Sequence, residues 1–345
     1  MTAKAENTKL DVKTLLVDRQ AFMREVICNA LALDNYRDVR ALSSVEVLEE
    51  VLDGVFPDLL ILDADMPDGD SVDLVRRVRL SKVGRNPFIP IILTSWHASK
   101  SLVRRAVDSG ADAFVVKPFA ASQLFSRIDM MITARKPFVV TADYLGPDRR
   151  ETPRADGPRY FHPPNTLRNR VLGETVELST LLLEIEAVSR QMQSIRMASL
   201  MTKITGLFDL LREGPDDGDS PEALTAKFQT MLRASISLEE DLSSTHLRHL
   251  KLPARHLASA LREIERDGGP VAAHDRRRIE RLLEPLRAGI ECMPDEDAAE
   301  VGPTAGRSEN EIGACGAAEA AVGAPRQALT DGISPSFQCD PRHSL

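Results

Sequence analysis

Cysteine is scarce and scattered in this chain. Cys28, Cys292, Cys315 and Cys339 form no CxxC pair and no Cys/His spacing that would hold a zinc ion. Long apolar runs are missing too. Nothing approaches the ~18 consecutive apolar residues of a membrane span, and the opening MTAKAENTKLDVK has no apolar signal-peptide core. Positive charge is not in excess. A net charge of −8 argues against a dedicated nucleic-acid binder, which carries a clustered basic surplus. No Ser/His/Asp triad, P-loop, Gly-rich nucleotide loop or GGDEF-like signature occurs, so no enzymatic output is expected. These absences predict a protein of a reducing, cytoplasmic compartment, with no membrane and no nucleic-acid partner. At 345 residues the chain is long enough for two domains, each with its own core.

What is present begins with alternation. Between residues 12 and 134, short apolar runs alternate with stretches of helical period. The runs are Val12 to Val17, Val39 to Leu42, Leu59 to Leu62, Phe88 to Leu93 and Ala113 to Val116. Apolar residues at helix spacing follow each run, the last set being Leu124, Ile128, Met131 and Ile132. Strands that alternate with helices in this way predict a parallel sheet covered on both faces.

The rhythm stops at residues 137–165, where six prolines fall. A flexible linker would explain the prolines but not the aromatics: Phe138, Tyr144, Tyr160 and Phe161 lie here in a chain that is only 4% aromatic. An extended arm that docks on a neighbouring surface is the expectation. From residue 166 the chain is helical and Leu-rich. Leu178, Leu181, Ile185, Val188, Met192 and Ile195 alternate spacings of three and four. Such a seam either drives a homodimer or forms the inner core of a bundle. Ser220-Pro221 is a helix start, and further apolar stripes run to Ile290, for about four helices in all. The expected layout is a disordered start at 1–10, an α/β domain at 11–136, the arm at 137–165, a helical interaction or output region at 166–293, and a disordered tail at 294–345 that is rich in Ala, Gly and Pro.

Chemistry concentrates in PDLLILDADMPDGD, where an apolar strand ends on Asp63 and Asp65, Met66 and Pro67 follow. Open α/β sheets present reactive groups at the carboxyl ends of their strands. Asp18 follows the first strand, Thr94-Ser95 close the fourth, and GADAFVVKPF (Gly110 to Phe119) carries Lys117-Pro118 past the fifth. Together these motifs resemble the response-regulator receiver domains of two-component phosphorelays. The resemblance implies a flavodoxin-like (βα)5 doubly wound parallel sheet, here followed by an all-α region. It implies Asp63 as phosphoacceptor and a Mg²⁺ ion held by Asp18, Asp63 and the Asp65 main-chain carbonyl. Lys117 would contact the phosphate, aimed by a cis Pro118, and Ser95 would be the switch hydroxyl, with Thr94 its neighbour. Phe114 would be the aromatic that follows. The implied partners are a sensor histidine kinase or phosphotransfer protein and a protein bound by the helical region.

Two positions depart from the family. Arg19 stands where a second acid normally binds the metal, so it either weakens Mg²⁺ binding or pairs with Asp63 and mimics the active state. The Asp65 side chain is a candidate to restore some of that oxygen ligation. Trp96 replaces a small residue beside Ser95 and narrows access. The expected function is a phosphorylated switch that frees or seals the helical region, through the surface near the fourth and fifth helices or through the arm. The alternative is a pseudo-receiver scaffold that is never phosphorylated. A DNA-binding pair of helices over Leu257 to Leu283, with Arg276, Arg277, Arg278 and Arg281, is the lesser reading, because Asp267 to His274 is long for a helix-turn-helix turn. His249-Leu250-Lys251 is one residue short of a phosphotransfer motif, and Pro253 is expected to break its helix. His246, His249 and His256 then read as surface or packing residues.

Overall fold

The computed structural model describes residues 9–150, 160–174, 176–213, 221–242, 247–267 and 271–291. All of them lie in one contact unit. The expected disordered start and tail fall outside the described residues apart from the short turn Lys9–Asp11, as do Ser220 and His246.

Five strands alternate with helices: β1 (Thr14–Val17), α1 (Ala21–Leu33), β2 (Val39–Leu42), α2 (Val45–Gly54), β3 (Leu59–Asp63), α3 (Ser71–Arg79), β4 (Ile91–Ser95), α4 (Lys100–Asp108), β5 (Ala113–Val116) and α5 (Ala121–Thr133). The strands are parallel in the order β2-β1-β3-β4-β5. Each strand sends alternate side chains to opposite faces. Leu15, Leu60 and Leu62 therefore join α2, α3 and α4 on one face. Leu16, Leu59 and Ile61 join α1 and α5 on the other. Ser44, Asp70 and Ser99 cap α2, α3 and α4 by accepting main-chain N–H groups of their first turns.

The fourth strand starts later than Phe88. Pro87 and Pro90 interrupt the run and a proline lacks a ladder donor, so pairing begins at Ile91. Phe88 turns instead into a second, smaller core.

That core explains the aromatic segment. It is a three-stranded antiparallel sheet, ordered β7-β6-β8 from β6 (Phe138–Val140), β7 (Leu145–Pro147) and β8 (Tyr160–Phe161), rather than an extended arm. Phe88, Phe138 and Phe161 meet edge to face with centroids 5.9–6.1 Å apart, pairs worth about 0.5–1.5 kcal/mol each beyond their burial. Phe138 also contacts two guanidiniums, 5.3 Å from Arg79 and 5.1 Å from Arg135. Arg79 is fully buried and donates to the carbonyls of Gly110, Pro87 and Ile89 at 2.7–2.9 Å and to Asp112 at 2.8 Å. Burial pulls its pKa down to about 10 against the opposing charge of Asp112, so it remains a cation at neutral pH.

The helical region also departs from expectation in three places. Helix α6 (Thr166–Leu172) buries Leu167 and Val171 in the α1/α5 face of the α/β domain, not in the bundle. The seam on α7 (Leu178–Glu213) sets Leu181, Ile185 and Met192 against Phe88 and the small sheet, with Val188 and Ile195 packed beside them, while Leu178 is exposed; the seam belongs to this second core rather than to the bundle core. Pro253 does not break a helix. It sits in the first turn of α9 (Lys251–Asp267), where its missing N–H has no helical partner to lose. The rest of α7 packs on α8 (Pro221–Leu242), α8 on α9, α9 on α10 (Ala273–Glu291), and α10 returns to α7. Arg196 joins this bundle to the small sheet: it is buried, bonds Asp241 at 2.7 Å and Ser237 at 2.9 Å, and reaches the Ala142 carbonyl at 3.1 Å. No helix among the described residues is long and apolar enough to cross a membrane.

The seating of β7 depends on Gly110. Its φ is +89°, and a Cβ there would lie 2.2 Å from the Leu145 carbonyl oxygen. Gly110→Ala is expected to lower stability by about 2 kcal/mol or more, from the left-handed backbone and the overlap together. Thermal unfolding measures the loss, and limited proteolysis should show earlier cutting between residues 137 and 165.

Candidate functional site

Parallel strands in register end at a common edge. Val17 pairs with Leu62, Asp63 with Thr94, and Ser95 with Val116, which brings Asp18, Asp63, Ser95 and Lys117 to one end of the sheet. All four are buried, as is Thr94. Among the candidate residues, the tightest cluster is two carboxylates around one ammonium. Lys117 Nζ is 2.5 Å from Asp18 Oδ2 and 3.1 Å from Asp63 Oδ2, with its side chain fully buried. The Lys117-Pro118 peptide is cis.

Asp63 is held by its main chain as much as by charge. Its Oδ1 accepts the Asp65 N–H at 3.1 Å, and its carbonyl accepts the Ser71 hydroxyl from the start of α3 at 2.6 Å. Its Oδ2 is buried without a hydrogen-bond donor; the Lys117 ammonium balances its charge at ion-pair distance only. Burial pushes the Asp63 pKa above the ordinary carboxylate range and the Asp18 charge adds to this, while the Asp65 N–H and Lys117 oppose it. Asp18 is oriented through Oδ1, which accepts the Gln20 N–H at 2.8 Å.

Arg19 does not pair with Asp63. Its side chain is exposed, and the cation held against Asp63 is Lys117. The long, hydrated guanidinium has solvent available beside a strand end that is already neutralised from within.

The Asp65 carboxylate is not free to serve as an extra metal ligand. Its Oδ2 accepts the Ser95 hydroxyl at 2.9 Å and the Trp96 N–H at 2.8 Å, and its Oδ1 lies 3.3 Å from His97 Nδ1. Burial pulls its pKa up, but these hydrogen bonds outweigh it and hold the group below the usual range. The Ser95 hydroxyl is thereby engaged on the loop. Trp96 is about a third exposed and sets its ring 5.9 Å from the Lys117 ammonium, covering the cation as well as crowding the site. Phe114 is half-buried. Ser71 and His97 are contacts that sequence reading missed. Ser71 had a signal, since a hydroxyl at a helix start two turns past the acid can reach back to it; His97 had none.

Among the described residues no group of three or more His, Cys, Asp or Glu side chains is placed to hold a metal. Two carboxylates remain, one with an orphaned buried oxygen, and Mg²⁺ is commonly held by one or two carboxylates with water completing its shell. The donor set therefore fits a Mg²⁺ ion, with fewer protein oxygens than three acids would supply. Away from this edge, the arginines of α10 are turned to local partners: Arg278 bonds Glu263 at 2.7 Å and Arg276 reaches the Arg212 carbonyl at 3.3 Å. His249 and His256 are exposed.

Residues 14–129 match the family model described as the response regulator receiver domain. Chemotaxis protein CheY1 of Helicobacter pylori is 33% identical over 122 residues, which is 35% of this chain and 97% of that protein. The phosphate regulon transcriptional regulatory protein PhoB of Escherichia coli is 25% identical over 128 residues, 37% of this chain and 55% of that protein. A crystal structure of a response regulator signal receiver domain from Bermanella marisrubri is 30% identical and covers 34% of this chain and 94% of that one, with a TM-score of 0.31.

The raised Asp63 pKa has a definite sign. Folding favours the protonated form, so the stability linked to this group is fully present below the unfolded carboxylate range and is lost as pH rises through the raised value. At neutral pH the ionised group is a net cost to the fold. Asp63→Asn is expected to raise the unfolding midpoint by a few degrees at neutral pH. The gain should vanish toward about pH 4, where the parent protein is itself protonated. Scanning calorimetry at both pH values checks this, and a midpoint below the parent's at neutral pH would contradict it.

Proposed function

This chain belongs to the response-regulator receiver family of two-component signalling, and we propose that Asp63 is the phosphoacceptor of a switch governing the protein contacts of its helical region. The observation that carries the reading is Asp63 Oδ2: a buried, hydrogen-bond-poor oxygen at a strand end, with Lys117 and Asp18 against it. Such an oxygen is a competent nucleophile once a phosphoryl donor reaches it. The donor is a phosphohistidine on a sensor kinase or phosphotransfer protein. An Asp63 oxygen attacks the phosphorus, the P–N bond breaks, the imidazole departs, and an acyl phosphate is left on Asp63.

This chain's own residues then answer the new charge. Lys117 turns from Asp18 to a phosphate oxygen. Ser95 exchanges its bond to Asp65 for one to the phosphate, and Phe114 follows into the space vacated; Thr94, one residue earlier, is the alternative hydroxyl. Asp18, Asp63 and the Asp65 main-chain carbonyl are the groups that would hold Mg²⁺, which supplies positive charge to offset the phosphoryl oxygens. Arg19 in place of an acid makes that binding weak.

The helical region docks at the opposite edge of the sheet, by the loops before β3 and β4 that carry Phe56 and Phe88. Helix α3 spans the two edges. Ser71 at its start bonds the Asp63 carbonyl, and Arg79 at its end holds the loop under Phe138. We place the route to the helical region along α3 and the small sheet rather than through the surface of α4 and α5. The scaffold alternative draws on the same cluster, since Lys117 already neutralises Asp63.

Phosphotransfer separates the two readings. Incubation with acetyl phosphate or a kinase should label the parent protein in a Mg²⁺-dependent manner, and Asp63→Ala should abolish the label. Arg19→Asp should lower the Mg²⁺ required by about tenfold, as a restored ligand would. No label in the parent or in Arg19→Asp under any condition would establish the scaffold.

A further inference from the structure

Three arginines that make no ion pair among the described residues line one cleft between the α/β domain and the long helix α7. Arg85 comes from the loop after α3, Arg190 from α7, and Arg248 from the turn before α9. Among the described residues other exposed arginines, Arg40, Arg76 and Arg262 among them, also make no ion pair; what sets these three apart is that they converge on one cleft, with Glu186 as a carboxylate in the same lining. Three guanidiniums against one carboxylate leave the lining net positive, which favours an anion there. The cleft is about 560 Å³, within the roughly 300–1,000 Å³ usual for small-molecule sites. Pro87 and Ile185 add apolar wall to it. Ser81 lines it as well, and its buried hydroxyl has no hydrogen-bond partner in the protein. Ser81 also holds a left-handed backbone, φ 56°.

We propose that this cleft binds a small phosphate-bearing anion. Guanidinium forks match phosphate oxygens in pairs, and a fixed set of them is selective for such groups. The ligand comes either from the nucleotides, whose base would lie on the apolar wall, or from inorganic polyphosphates. Either would bridge the α/β domain and α7, and so tighten the joint between them, next to the existing Lys82–Glu240 ion pair of 2.5 Å. The site is separate from Asp63 and does not depend on phosphorylation.

The test is calorimetric titration and thermal unfolding of the full chain in phosphate-free buffer with EDTA. The probes are pyrophosphate, AMP and ATP, with adenosine as the uncharged control. Binding by pyrophosphate or by the nucleotides, with none by adenosine, supports the site. Tighter binding of the nucleotides assigns that source, and equal or tighter binding of pyrophosphate the inorganic one. The double variant Arg85→Ala/Arg190→Ala changes exposed side chains only, so its circular dichroism should match the parent. It should weaken binding by at least about tenfold, whereas Arg127→Ala, outside the cleft, should not. No binding at millimolar probe, or unchanged binding in the double variant, would each overturn the proposal.

Discussion

The structure turns on a guanidinium with no access to water. Arg79 closes α3, and its four bonds collect the loop before β4, the turn before β5 and the carboxylate of Asp112. Asp112 in turn takes Arg135 and the Ile91 N–H. Both guanidiniums lie against Phe138, and Phe138 anchors the small sheet that seats the first half of α7. Buried charge of this kind is costly alone and tolerable only when every donor is met. Removing the guanidinium would leave Asp112 and three carbonyls partly unpaired. Its replacement by a shorter cation would not span them, because only a planar fork reaches four acceptors at once.

This arrangement gives the sheet two edges with different work. At the carboxyl edge, Asp18, Asp63 and Lys117 hold two negative charges and one positive charge out of water. At the amino edge, apolar and aromatic contacts join the domain to the helices. The first edge is sensitive to added charge because the effective dielectric there is low. The second is rigid, because closely packed interiors transmit displacement rather than absorb it. Helix α3 touches both, through Ser71 and Arg79. A helix of nine residues is stiff over its ~13 Å length.

Much of the candidate site was legible in the order of residues. Parallel strands bring their carboxyl ends together whatever the connecting helices do, so Asp18, Asp63, Ser95 and Lys117 had to converge once the strands were recognised. The partners of those residues were not legible. Arg19 reads as a rival cation for Asp63, and solvent takes it instead. Asp65 reads as an extra oxygen for a metal, and the loop N–H of Trp96 claims it. Phe88 reads as strand, and two prolines turn it into another core. For Asp63 and Asp65 the group that won, Lys117 or Trp96, lies 31 or more residues away, and distance in sequence hides that competition.

The sequence by itself determined the alternation of strands and helices, the edge at which the acids and the lysine meet, and the family those residues mark. These follow from local periodicity and from the geometry of parallel strands. Only the tertiary structure decided that the aromatic segment is a sheet, that the α7 seam seats on it, and that α6 belongs to the α/β core. Those outcomes depend on which apolar face finds which other face, and every apolar face in this chain had more than one to choose from.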